Sequence, residues 1–162
     1  MKAIAYRNKL VLEAETARDL MVENPISIRA EADVAEAMAL FAEKGIAAAP
    51  VIDEAGRPIG VVSRSDLLIH ERECEKARST LTDYVFAASE DDAERAKIRG
   101  AKPTVADLMT PAVFACAPDT PVQRVVSDMV GLHVHRLFVV DDDGILIGVI
   151  STMDVLRQLR VE

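Results

Sequence analysis

Tryptophan is absent from this 162-residue chain and aromatic residues make up only 4%, although half of all residues are apolar. A core is therefore affordable in apolar area, but Ala and Val must fill most of it. Only two cysteines occur, Cys74 and Cys116, and in no C-x-x-C pattern. That usage suggests a reducing compartment and thiols serving as small hydrophobes. Basic residues are in deficit, 19 against 27 acidic ones, for a formal charge of −8. A nucleic-acid surface needs clustered Lys and Arg and is not expected. No apolar run nears the roughly 18 residues of a spanning helix. Met1 to Leu12 is interrupted by Lys2, Arg7, Asn8 and Lys9, so neither a signal peptide nor a membrane association is expected. The expected location is cytoplasmic.

Catalytic and metal signatures are also missing. There is no Gly-x-Ser-x-Gly, no P-loop and no G-x-G-x-x-G. Neither cysteine has an evident base nearby in sequence, and the chain reads as a non-enzyme. His133 and His135 share a strand face but lack further ligands, as do His70 and Cys74 at i, i+4; structural zinc takes four. Asp141-Asp142-Asp143-Gly144 lacks the spacing and the later Glu of a calcium loop. It is a turn, and no metal is expected.

What is present is a repeat. Gly60-Val61-Val62-Ser63-Arg64-Ser65-Asp66 returns 88 residues later as Gly148-Val149-Ile150-Ser151-Thr152-Met153-Asp154. Without gaps, 19–68 overlays 107–156, with identities from Asp19/Asp107, Leu20/Leu108 and Met21/Met109 to Leu68/Leu156. Each copy of the short stretch follows an acidic turn, Asp53 to Gly56 or Asp141 to Gly144. Each reads as a strand that stops at a hydroxyl and opens a helix: Ser caps the first turn, and the Asp three residues later closes a capping box. Such a corner gathers a hydroxyl, a carboxylate and backbone N–H groups and can hold a polar ligand. The same residues also serve simply as caps, each worth about 1 kcal/mol.

The periodicity predicts β-α-β-β-α in each repeat. In the first, Pro25 to Ile28 is a strand. Val34, Ala37, Met38 and Phe41 mark a helix ended by Gly45, Ala49 to Ile52 and Ile59 to Ser63 are strands, and a helix runs from Arg64 toward Lys76. In the second, strands are expected over Val113 to Cys116, Arg136 to Val140 and Ile145 to Ser151. Val122, Val125, Val126, Met129 and Val130 mark one helix, and Thr152 to Arg160 another. The expected organisation is a lead-in over 1–17 with strand pieces at Ala3 to Tyr6 and Leu10 to Leu12, a first unit over 18–76, a helical insertion over 77–104 and a second unit over 105–162. In the insertion, Leu81, Tyr84 and Val85 suggest an amphipathic turn, Ser89 to Asp92 a helix start and Gly100 before Pro103 a stop. One repeat alone buries too little surface for independence, so the two are expected to share one core.

With two G-h-h-S-x-x-D corners (h apolar), Asp-Leu-Met opening each repeat, Ala49-Pro50-Val51-Ile52-Asp53 and His135-Arg136-Leu137-Phe138-Val139-Val140-Asp141, the chain resembles a tandem cystathionine-β-synthase (CBS) domain pair, also called a Bateman module. The resemblance implies an α+β (α/β) fold of two pseudo-twofold-related units with two clefts between them. It implies an adenosine-containing ligand, AMP, ADP or ATP first and S-adenosylmethionine or NAD as further candidates. Homodimerisation and regulation of an effector protein are also implied. No effector domain is recognisable in the chain itself.

Carried over residue by residue, the resemblance gives unequal clefts. The first takes Val61, Ser63 and Asp66, with Val113 and Phe114 for the base and His135 and Arg136 for phosphate. Asp accepts ribose hydroxyls, and Arg offers a planar fork to phosphate oxygens. The second, weaker cleft takes Val149, Ser151 and Asp154 with Pro25 and Ile26. Ala47 and Ala48 replace its basic pair, leaving Arg64 as the nearby charge. A constitutive dimer with vestigial clefts and no ligand is the alternative.

Overall fold

The computed structural model describes residues 9–84 and 102–161. Among them are nine strands in three sheets and six helices. In chain order they are β1 (Leu10–Leu12), α1 (Ala17–Leu20), β2 (Val22–Glu23), β3 (Ile28–Arg29), α2 (Val34–Lys44), β4 (Ala48–Ile52), β5 (Pro58–Ser63) and α3 (Arg64–Tyr84). There follow α4 (Val105–Leu108), β6 (Ala115–Cys116), α5 (Val122–Gly131), β7 (Arg136–Val140), β8 (Leu146–Ser151), α6 (Thr152–Arg157) and β9 (Leu159–Val161).

The chain divides into two compact units. One comprises Met1–Pro25, Ala55–Pro58 and Val113–Glu162, the other Ile26–Glu54 and Ile59–Ala112. Each unit combines the body of one repeat with the leading segment of the other. In the first unit, Ala17 and Arg18 donate backbone N–H groups to Thr120 and Pro118 (2.8 and 2.9 Å), and β2 pairs antiparallel with β8. In the second, Val105 and Ala106 donate to Ala32 and Ala30 (2.8 and 2.9 Å), and Thr110 bridges Val61. Every one of these partners is related to its counterpart by the 88-residue shift.

Sheet order is β2-β8-β7-β6 in the first unit and β3-β4-β5 in the second, while β1 and β9 form a separate antiparallel pair within the first. β3 runs parallel to β4 and β6 parallel to β7, each joined through its crossover helix, α2 or α5. The buried residues form two clusters. Phe41, Val51, Val62, Leu67 and Val105 belong to one; Ala17, Leu20, Val122, Val125, Val139 and Ile150 belong to the other. Val105 comes from the second repeat, and Ala17 and Leu20 come from the first. The buried residues thus form two clusters and not the one shared core expected, and each repeat lends a leading segment to the other's cluster.

Element ends depart from the sequence expectation. α3 runs to Tyr84, well past Lys76, because no Gly or Pro interrupts Arg64 to Tyr84. Leu81 and Tyr84 therefore lie on that continuous helix and not on a separate turn, whereas Ala3 to Tyr6, Val85, the Ser89 helix start and Gly100 lie outside the described residues. α6 stops at Arg157, because Leu159–Val161 pairs with Leu10–Leu12: a partner strand distant in sequence outweighs helical periodicity. The strands expected over 25–28 and 113–116 shorten to Ile28–Arg29 and Ala115–Cys116.

Two further capping boxes open the exchanged segments. Asp19 Oδ2 accepts from the Glu15 and Thr16 N–H groups (3.1 and 2.9 Å) and from the Thr16 hydroxyl (3.1 Å). Asp107 Oδ2 accepts from the Thr104 N–H (2.8 Å) and hydroxyl (2.9 Å). These N–H bonds, the largest influence in each case, hold both carboxyls below their ordinary value of 3.8. A depressed folded-state pKa contributes stability that is present above the unfolded value and is lost as pH falls through the folded one. Stability should therefore decline as pH drops below about 4. In an Asp19→Asn, Asp107→Asn protein the decline should be shallower, as urea midpoints read across that range; parallel curves would refute the assignment.

Candidate functional site

Both Ser-x-x-Asp corners form. β5 ends at Ser63, where buried Val62 fixes the strand, and α3 begins at the next residue. Asp66 Oδ2 accepts from the Ser63 N–H and from its hydroxyl, both at 2.7 Å, while the Asp66 N–H faces Ser63 Oγ at 3.4 Å. Both bonds fall on one carboxylate oxygen. Among the described residues Asp66 Oδ1 has no partner. Asp66 is half-buried and stands in the first turn of α3, where the helix dipole favours a carboxylate.

The second corner closes in the same way, with Ser151 N–H and hydroxyl donating to Asp154 Oδ2 at 2.8 and 2.5 Å. It differs in one respect. Arg157, one turn along α6, donates to Asp154 Oδ1 at 3.2 Å. The residue 88 positions earlier is Ile69, which offers Asp66 nothing. The pattern Asp-x-x-Arg against Asp-x-x-Ile was visible in the sequence and distinguishes the corners independently of any phosphate contact.

Within the second compact unit stand Val61, Ser63, Asp66, Ile26 and Arg64; within the first stand Val113, Phe114, His135, Arg136, Val149, Ser151, Asp154 and Pro25. Val61 is half-buried and bonded through both backbone groups to Thr110 (3.0 and 2.8 Å). Val149 is half-buried opposite Val22. Arg64 is turned toward α2, where its Nη2 donates to the Phe41 carbonyl at 3.4 Å. Phe114 is half-buried against the core, and its carbonyl accepts from the Phe138 N–H at 2.9 Å. Val113 and Pro25 are half-buried and Ile26 is exposed. His135 and Arg136 have exposed side chains at the start of β7; Arg136 pairs with Ser151 across the sheet, and the His135 carbonyl accepts from the Thr152 N–H at 3.1 Å.

The sequence reading missed the Thr16/Asp19 and Thr104/Asp107 boxes, although Thr-x-x-Asp also repeats at 88 residues. It also found no base near either cysteine. That is corrected here: His70 Nε2 lies 3.4 Å from Cys74 Sγ, one helical turn away on α3. No cluster of three or more metal-ligating side chains occurs among the described residues. Nor, among them, is any helix long and apolar enough to cross a membrane.

The sequence profile of the CBS domain matches residues 17–73 and again 105–161. The chain belongs to the CBS domain family. This CBS pair is 29% identical over 164 residues to an uncharacterised protein of Methanocaldococcus jannaschii, covering 94% of the chain and 96% of that protein. It is 30% identical over 154 residues to the gamma-3 subunit of 5′-AMP-activated protein kinase from Bos taurus, covering 95% of the chain but only 27% of the subunit. Among solved structures, CBSX2 in complex with AMP superposes with a TM-score of 0.65 at 27% identity, covering 89% of this chain and 95% of that one.

Proposed function

We propose that this CBS pair is a regulatory module that binds an adenosine-containing nucleotide, AMP, ADP or ATP, and passes its occupancy to a partner protein. The observation that carries the proposal is the Ser63–Asp66 corner: at the start of a helix stands half-buried Asp66, whose Oδ1 has no partner among the described residues and is suited to accept ribose hydroxyl donors. The AMP bound by CBSX2 and the AMP dependence in the kinase subunit's name support the ligand class. Val113 and Phe114 are assigned to the base on the family resemblance, and His135 and Arg136 to phosphate. S-adenosylmethionine and NAD remain ligands to be screened. Signalling then follows from differential affinity: a ligand shifts a conformational equilibrium only as far as it prefers one state. The proposed setting is the cytoplasm, with Cys74 and Cys116 as free thiols.

A constitutive dimer without ligand is the second reading, and an exposed apolar surface favours it. Met38, Leu68 and Ile69 on one unit are exposed, as are Val130, Met153 and Leu156 on the other. A mostly apolar groove of about 380 Å³ is lined by Met38, Leu67 and Leu68 on one unit, and one of about 490 Å³ by Val126, Val130 and Val155 on the other. Such faces are what helix-mediated homodimers cover. Thermal unfolding of nucleotide-stripped protein separates the readings. A ligand at about 100 times its Kd adds roughly 2.7 kcal/mol. The expected result is a clear upward shift with at least one of AMP, ADP and ATP, and none with the matching cytidine nucleotides. Absence of any shift, with a light-scattering mass of two chains throughout, would establish the dimer reading instead.

A further inference from the structure

The two cysteines have opposite surroundings. Cys116 is half-buried beside the core cluster that contains Val125 and Val139, and burial pushes its thiol above the ordinary value of 9.0. The Asp128 charge adds to that rise, and a hydrogen bond with Thr120 opposes it. Cys74 lies on α3 with its Sγ 3.4 Å from His70 Nε2, within reach for transfer of the thiol proton. Thiol and base therefore stand one helical turn apart within a single compact unit.

The thiol also faces open space. A groove of about 380 Å³ runs past Cys74 and His70 between α2, α3 and the Lys102–Pro103 segment. Among the described residues its charged border is three carboxylates, Asp33, Glu71 and Glu75, against one ammonium, Lys102. A ligand entering it meets an excess of negative charge.

We propose that Cys74 is a covalent modification site for small disulfides, with His70 as its base and with a preference for amine-bearing disulfides over carboxylate-bearing ones. The Cys74 proton passes to His70 Nε2, and the thiolate attacks one sulfur of R–S–S–R. The S–S bond breaks, Cys74 Sγ bonds to one R–S group, and the departing R–S⁻ takes the proton from His70 to leave as R–SH. The disulfide supplies the oxidising equivalents, so the step balances without another reactant.

The test is the rate of mixed-disulfide formation on the fully reduced chain with cystamine or glutathione disulfide, quenched by acid and resolved by peptide mass spectrometry. Cys116 in the same molecule is the internal reference. With cystamine, Cys74 should react at least about tenfold faster than Cys116, and cystamine should outpace glutathione disulfide at Cys74. His70→Gln should slow Cys74 by about tenfold or more and leave Cys116 unchanged, short of the roughly hundredfold that a full general base supplies. Equal rates at the two cysteines would overturn the site. So would a folded His70→Gln protein that reacts like wild type, and equal rates with the two reagents would overturn the charge preference. If His70→Gln does not fold, the ratio of Cys74 to Cys116 in the wild-type chain decides.

Discussion

Replacing Gly60 with alanine should destabilise the second compact unit more than any other single-methyl addition at the two corners. A Cβ there would sit 2.7 Å from the Thr110 carbonyl oxygen and 2.8 Å from Met109 Sδ. Met109 can rotate, but Thr110 cannot. Its N–H and carbonyl are both bonded to Val61, one residue along the strand, at 2.8 and 3.0 Å. Either β5 shifts or the bridge is lost. Overpacking of this kind costs about 1–3 kcal/mol, and each bridge hydrogen bond about 1 kcal/mol more.

Gly148, its counterpart, supplies the control. The three atoms nearest a Cβ there all belong to the Met21 side chain, with Sδ at 2.6 Å, Cγ at 3.0 Å and Cβ at 3.1 Å. Met21→Ala should therefore remove much of the cost of Gly148→Ala, whereas Met109→Ala should leave most of the cost of Gly60→Ala. Two double-mutant cycles in urea read the difference. Equal coupling in both cycles would show that the backbone contact at Gly60 carries no special weight.

Asp66→Ala should abolish the nucleotide-induced thermal shift, while Asp154→Ala should leave most of it. The first variant removes the carboxylate whose Oδ1 is open; the second removes one whose Oδ1 is already held by Arg157. Both also lose a capping box, costing about 0.5–2 kcal/mol each. Each shift must therefore be read against that variant's own ligand-free baseline. At saturating ligand the expected loss for Asp66→Ala is the whole of the roughly 2.7 kcal/mol.

Ile69→Arg provides a test that keeps the cap. An arginine one turn beyond Asp66 should occupy Oδ1 as Arg157 occupies its counterpart and weaken binding. The effect should be modest, because the Arg157 side chain is 71% exposed, and exposed pairs contribute up to about 1 kcal/mol, or about fivefold in affinity. An undiminished shift in Asp66→Ala, or tighter binding in Ile69→Arg, would mean that this corner is a cap and nothing more.

The repeat, its element order and both corners were legible in the sequence because they rest on local chemistry. A hydroxyl followed three residues later by a carboxylate closes a helix start wherever it occurs, and Val34, Ala37 and Phe41 mark a buried helix face by spacing alone. The inequality of the corners was also present, in Ile69 against Arg157, but it requires attention to the second carboxylate oxygen. What local pattern could not reveal was which partner each segment would choose. Ala17–Leu20 and Val105–Leu108 are equivalent four-residue helices, and each could in principle have packed on its own repeat. Hydrogen bonds from Ala17 to Thr120 and from Val105 to Ala32 place each on the other repeat. In the same way Leu159–Val161 left the helix for Leu10–Leu12. Sequence by itself determined the duplicated units and their capped corners, since those depend on neighbours three or four residues apart. Only the tertiary structure decided the exchange of leading segments, because the bonds that dock them run to backbone carbonyls, which every residue offers and which no local pattern singles out.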